Sequence, residues 1–121
     1  MSKIKTYKNL RVWQKALDIV DKAYLITNSF PEDEKFGLTS QIRRSSVSIA
    51  SNIAEGWGRK HTKSFVNYLR IAKGSLYELE TQLYLSSDLQ YIKKEEFQSI
   101  MEQVVSCKKL VNGFINYYRK L

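Results

Sequence analysis

Phe36-Gly-Leu-Thr-Ser-Gln-Ile-Arg-Arg-Ser-Ser-Val-Ser-Ile-Ala-Ser-Asn-Ile-Ala-Glu-Gly-Trp-Gly-Arg59 is the stretch whose reading decides the fold. Leu38, Ile42, Ile49 and Ile53 fall on one face at helical spacing, with Ser45 and Ser46 filling the gap, so the segment reads as a helix with one core face. Arg44, Ser48, Asn52 and Glu55 form a second, polar stripe roughly opposite, since each residue turns the helix by about 100°. Small residues crowd the segment: Ser45, Ser46, Ser48, Ala50, Ser51 and Ala54 let another backbone come close. Gly56 and Gly58, on either side of Trp57, are expected to end the helix through a left-handed cap.

Outward from this segment the same periodicity continues. Residues 1–8 are polar and basic without a helical period and read as a short arm. A first helix is expected from Asn9 or Leu10, with Leu10, Trp13, Ala16, Leu17, Val20 and Tyr24 on its core stripe. Val12, Ile19, Ala23 and Ile26 make a second apolar stripe that a single core would leave uncovered. Pro31 stops this helix by disfavouring the helical region at the residue before it, and Glu32, Asp33 and Glu34 suit a short helical turn. A third helix is expected from Thr62 as N-cap to about Ser87, with Phe65, Tyr68, Leu69, Ala72, Leu76, Leu79 and Leu83 inward. A fourth is expected from about Lys93 to near Arg119, with Phe97, Ile100, Met101, Val104, Val111, Phe114, Ile115 and Tyr118 inward. The connections are short, so residues 1–121 are expected to form one all-α domain, an antiparallel up-and-down four-helix bundle. One proline, five glycines and 43% hydrophobic residues fit that class better than a β-sandwich.

The chemistry of the chain points to binding. Cys107 is the one cysteine, so no intrachain disulfide can form, and a reducing cytoplasm is the expected location. It reads as a small buried or interfacial residue. His61 is the one histidine, too few for a Cys/His zinc site or a Glu-x-x-His di-metal site. No phosphate-binding loop motif is present. The spaced arginine that small helical RNases place ahead of their histidine is missing, because residues 54–56 are Ala, Glu and Gly. No enzyme, cofactor or metal is expected, and no segment approaches the ~20 apolar residues of a membrane span.

Charge carries the positive signal. Twenty Lys and Arg against 12 Asp and Glu give a net charge of +8. From Gly56 to Tyr77 there is no carboxylate, while Arg59, Lys60, Lys63, Arg70 and Lys73 all fall in that window as candidate nucleic-acid contacts. Lys3, Lys5, Lys8, Arg11 and Lys15 make a second cluster, and Lys108, Lys109, Arg119 and Lys120 a third. A soluble helical protein carries the same kind of excess, so charge by itself does not establish the partner. Tyr77, Tyr84 and Tyr91, seven residues apart, suit either stacked bases or the lining of a groove. Glu55 and Glu78 resemble an acid–base pair, but with Arg44, Ser48, Asn52 and Arg70 nearby they read as a polar network or an oligomer interface.

Leu10-Arg-Val-Trp-Gln-Lys-Ala16, Gln41-Ile-Arg-Arg44, Asn52-Ile-Ala-Glu-Gly56, Gly58-Arg59, Ala72-x-Gly-Ser75 and Glu78-Leu79 resemble the four-helix-bundle proteins encoded in intervening sequences of bacterial 23S ribosomal RNA genes. The accessory variability determinant of diversity-generating retroelements is a related protein. The resemblance implies a ring-like homopentamer without catalytic residues. For the retroelement relatives it also implies a basic surface that binds nucleic acid and a partner reverse transcriptase. The expected function is therefore non-catalytic binding of nucleic acid, structured RNA first, by a homo-oligomer; the alternative is a protein-interaction scaffold that binds no nucleic acid.

Overall fold

The computed structural model describes residues 6–121. Four helices carry the architecture: α1 Arg11–Thr27, α2 Leu38–Gly58, α3 Thr62–Asp88 and α4 Lys94–Tyr118. Each helix packs on the next in sequence and α4 closes on α1, while the diagonal pairs do not approach. Cross-links run in opposite directions along each pair, which makes the bundle antiparallel. Lys15 and Lys22 of α1 donate to Gln103 Oε1 and Ser99 Oγ of α4. Ser45 and Ser48 of α2 meet Gln82 and Ser75 of α3.

The helix on residues 38–58 buries Ile42, Ser45, Ser46, Ile49, Ala50, Ile53, Gly56 and Trp57. The serines matter because a small side chain lets α3 lie close without leaving a void. Gly56 shows how close: a Cβ placed there would stand 2.5 Å from Tyr68 Cβ, well inside contact distance. Gly58 is the last residue of α2 and Gly56 lies within it, but neither supplies the expected left-handed cap, since no glycine takes a positive φ. Lys60 instead adopts the left-handed conformation, φ 54°, just after the helix. At the end of α3, Gln90 does the same at φ 64°, and Tyr91 N–H donates to Ser86 O at 2.9 Å, which closes the helix in a Schellman arrangement.

The sequence expectation for α1 holds at Leu10 and Ala16, which are buried, and fails elsewhere. Val12, Ile19, Ala23 and Ile26 are buried in the core of the same chain, while Leu17 and Tyr24 are 38% and 41% exposed. Two adjacent stripes together spanned a broad arc, and α2 and α4, flanking α1 on both sides, cover its centre at Val12, Ala16, Ile19 and Ala23. Smaller shifts occur at the ends. His61 occupies the cap position of α3, so the helix begins at Thr62 rather than being capped by it. Tyr7–Asn9 form a 3₁₀ turn whose Tyr7 ring meets Trp13 edge-on at 5.1 Å, so this part of the expected arm is folded. Residues 1–5, with Lys3 and Lys5, lie outside the described residues.

Each end of the bundle has its own lock. At one end Trp57, Phe65 and Tyr118 stack edge to face at 5.4 and 5.1 Å and tie α2, α3 and α4 together. At the other, Tyr91 packs on Phe30 at 5.5 Å and its hydroxyl donates to Glu34 Oε2 at 3.0 Å, joining the two connections there. Among the described residues no helix is long and apolar enough to cross a membrane.

The crossing at Gly56 yields a stability test. Gly56→Ala is expected to lower unfolding free energy by about 1–3 kcal/mol through overpacking against Tyr68. Gly74→Ala, where a Cβ meets open space, should raise it by up to about 1 kcal/mol through helix propensity. Chemical denaturation of both variants measures the contrast, and equal effects would contradict the close α2–α3 approach.

Candidate nucleic-acid interface

Antiparallel packing sorts the charges by end. The start of α1, the connection at 59–61 and the end of α4 share one end, which brings Lys8, Arg11, Arg59, Lys60, Lys63, Arg119 and Lys120 from three separate sequence clusters to the same pole. Glu32, Asp33, Glu34, Asp88, Glu95 and Glu96 gather at the opposite pole, among Lys35, Lys93 and Lys94.

Within the basic pole a depression of about 610 Å³ is lined by Lys60, His61, Lys63, Asn67, Arg70 and Arg119, together with Thr62, Val66, Tyr118 and Leu121. No carboxylate side chain lines it. Of the five candidates from residues 56–77, Lys60, Lys63 and Arg70 line this depression together. Lys73 does not line the depression. Arg59 turns elsewhere: its guanidinium lies 2.8 Å from Glu55 Oε2 and also donates to Tyr68 Oη at 2.8 Å. Tyr68 Oη in turn donates to Glu55 Oε2 at 3.1 Å, closing a triangle. The triangle engages Glu55 with Arg59 and Tyr68, away from the cations that line the depression. Arg119 also lines the depression, which a reading by sequence window missed because it lies at the far end of the chain.

The expected polar network divides into separate pieces. Glu55 pairs with Arg59 and Tyr68 rather than with Arg44 or Asn52. Asn52 donates to Ser48 O and Ser48 Oγ at 2.8 and 3.0 Å, and Ser48 meets Ser75 across the α2–α3 seam at 2.9 Å. Arg44 and Glu78 border a polar hollow with Gln41, Ser45, Ser48 and Gln82 but make no ion pair, and Arg70 makes none with Glu78. Its neighbour Arg43 is the arginine engaged within the chain, donating to Thr27 Oγ1 at 2.9 Å and Asn28 Oδ1 at 3.1 Å and lying 4.6 Å over the Tyr24 ring.

Other sequence candidates are placed plainly. Tyr77 and Tyr84 are exposed on α3, the first beneath Lys108 at 4.8 Å and the second edge-on to Phe97, whereas Tyr91 is turned toward Glu34, so the three share no stacking surface. Lys108 is held by Glu80 at 2.9 Å. Cys107 is buried, and burial pushes its thiol up to about 12, which removes it as a nucleophile near neutral pH. Among the described residues no three His, Cys, Asp or Glu side chains are grouped as a metal site.

Comparison with known proteins agrees with this architecture. The family model described as 23S rRNA-intervening sequence protein matches residues 8–113. The crystal structure of a protein with unknown function from the S23 ribosomal protein family of Bacteroides thetaiotaomicron VPI-5482 superposes with a TM-score of 0.79, at 30% sequence identity over 86% of this chain and 97% of that one. Among curated proteins none matches the chain.

The triangle gives a pH prediction. The Arg59 hydrogen bond, followed by that of Tyr68, holds the Glu55 carboxyl below its usual range. A carboxyl lowered in the folded state contributes stability above its unfolded pKa, and that contribution disappears as pH falls through the folded value. NMR titration of Glu55 should therefore give a midpoint below the ordinary glutamate range, and Arg59→Ala should move it back up. An unchanged midpoint in Arg59→Ala would contradict the triangle.

Proposed function

The chain belongs to the 23S rRNA-intervening sequence protein family, and from that premise we propose that it binds structured RNA, as a homo-oligomer and without catalysis, through phosphate contacts at the basic pole. The observation that carries this reading is the convergence of Lys60, Lys63, Arg70 and Arg119 on one depression with no Asp or Glu side chain in its wall. Cations placed so that no acidic neighbour neutralises them are what a phosphate backbone requires, because association then releases condensed counterions. Lysine and arginine differ in use here: Arg70 and Arg119 offer planar forks for phosphate oxygens, while Lys60 and Lys63 act as flexible point charges.

Self-association has a separate basis. Phe36 is 89% exposed, and with Tyr24 and Val47 it borders a groove of about 610 Å³ between α1 and α2 whose rim carries Lys35, Arg43 and Arg44. An aromatic side chain so exposed beside further apolar residues favours burial against another molecule. The same groove favours the second reading, a protein-interaction scaffold. Under the first reading, a ring-like pentamer, as the sequence resemblance implies, repeats the basic pole around a closed assembly and turns one patch into a multivalent surface.

Two measurements test these readings. Lys60→Glu/Lys63→Glu is expected to weaken RNA retention in a mobility-shift assay while preserving helix content, and to reduce the slope of log affinity against log salt by roughly two. Unchanged retention and slope, or wild-type protein that retains no RNA at moderate ionic strength, would favour the scaffold. Light scattering on the purified chain should give a mass several times 14.2 kDa; a stable folded monomer at micromolar concentration would remove the oligomer from the proposal.

A further inference from the structure

The basic depression has a neighbour on α4 with which it shares one lining residue. Tyr118, which lines it, also lines a neighbouring groove of about 490 Å³ on α4, formed with Lys109, Leu110, Gly113, Phe114 and Tyr117. The groove is largely aromatic and aliphatic, with Lys109 as its cation.

Its construction is rigid. Tyr118 is buried and held edge-on by Phe65, and Phe114 lies 6.0 Å from it on the outer side. Tyr117 stands nearly perpendicular to Tyr118 at 4.9 Å and is 62% exposed, so it is the outermost ring of a ladder that runs inward to Trp57. Gly113 leaves the groove open where any other residue would project, since a Cβ there meets nothing within 4 Å. An exposed tyrosine fixed against a packed aromatic cluster presents ring surface at little cost in conformational entropy.

We propose that this groove takes an unpaired nucleobase, so that the protein prefers single-stranded segments of nucleic acid, such as loops, bulges and ends, over continuous duplex. The inference rests on the phosphate-binding reading of the basic pole and deepens it. The shared Tyr118 wall is the link: a strand whose phosphates lie against Lys60, Lys63, Arg70 and Arg119 runs beside an aromatic groove, and Lys109 on the far rim meets the next phosphate. Alternating cation and aromatic surface is the arrangement that tracks a single strand, because each nucleotide offers one charge and one π face. A duplex hides those faces in its own stack, so it gains from the cations but not from the groove. A protein side chain would fill the groove equally well in shape, but it would make no use of the cations lining the depression on the other side of Tyr118.

Fluorescence anisotropy on the full chain tests this with three labelled probes of equal length: unstructured single-stranded RNA, single-stranded DNA of the same sequence, and blunt duplex RNA. Tyr117→Ala is expected to weaken both single-stranded probes about tenfold, the size of one lost base–aromatic stack, and to leave duplex affinity and the salt slope unchanged. Tyr117→Phe should keep wild-type affinity. Gly113→Leu, which fills the groove from an exposed helix position, should reproduce the selective loss and guards against misfolding of the alanine variant. Loss shared equally by the duplex, or no loss on single strands, overturns the base-binding groove. In that event a continued effect of Lys60→Glu/Lys63→Glu shows that the phosphate reading stands without it. If wild-type protein binds none of the probes, the phosphate reading fails and this inference fails with it.

Discussion

The close approach of α2 and α3 governs the structure. Helices commonly pack with their axes about 8–10 Å apart, the distance being set by the side chains between them. Here Gly56 lies directly under Tyr68, and Ser45, Ser46 and Ala50 keep the rest of the α2 face shallow. That closeness lets short hydroxyls reach across, so Ser48 meets Ser75 and Ser45 donates to Gln82. Buried Ser45 and Ser75 find partners across the seam, while Ser46 and Ser86 donate to carbonyls of their own helices, so the polar residues cost the core little. Longer side chains at these positions would push α3 away and leave those hydroxyls without partners.

The basic pole follows from the same contact. Two helices this close can be joined by a connection as short as residues 59–61, and the turn is completed by Lys60 in a left-handed conformation that a side chain adopts only at some cost. The turn holds Lys60 beside Lys63 and Arg70 on the first turns of α3 and faces them toward Arg119. Tyr68, seated on Gly56, also reaches back to Glu55 and Arg59. One packing event thus positions the cations and engages Glu55 with Arg59 and Tyr68. The aromatic ladder from Trp57 through Phe65 to Tyr118 then fixes α4 at this end, which is why the basic depression and the aromatic groove share a wall.

Much of this was legible beforehand, and the failures are physical. Ile42, Ile49 and Ile53 on α2, and Phe65, Leu69, Leu76, Leu79 and Leu83 on α3, identify their core faces from spacing alone, because each stripe is narrow and has polar neighbours on both sides. On α1 apolar residues cover a broad arc, and spacing cannot say which part lies at the centre, so Val12 and Ile19 were assigned outward and Leu17 inward. Gly56 looked like a helix stop because glycine is common there; only its neighbour Tyr68 reveals that the missing side chain serves a crossing. Arg119 was visible as a charge but not as a partner of Lys63, since the two are separated by most of the chain.

By itself the sequence determined the helices, their antiparallel succession and the sign of the charge, because these depend on local periodicity, connection length and composition, all properties of short segments. The tertiary structure decided which face of α1 is core, that Arg59 pairs with Glu55 while Lys60, Lys63 and Arg70 line one depression, and that Arg119 and Tyr118 line it with them. Those outcomes depend on distances between helices. Such distances are set by side chains from two or more segments meeting at once, and no single segment contains that information.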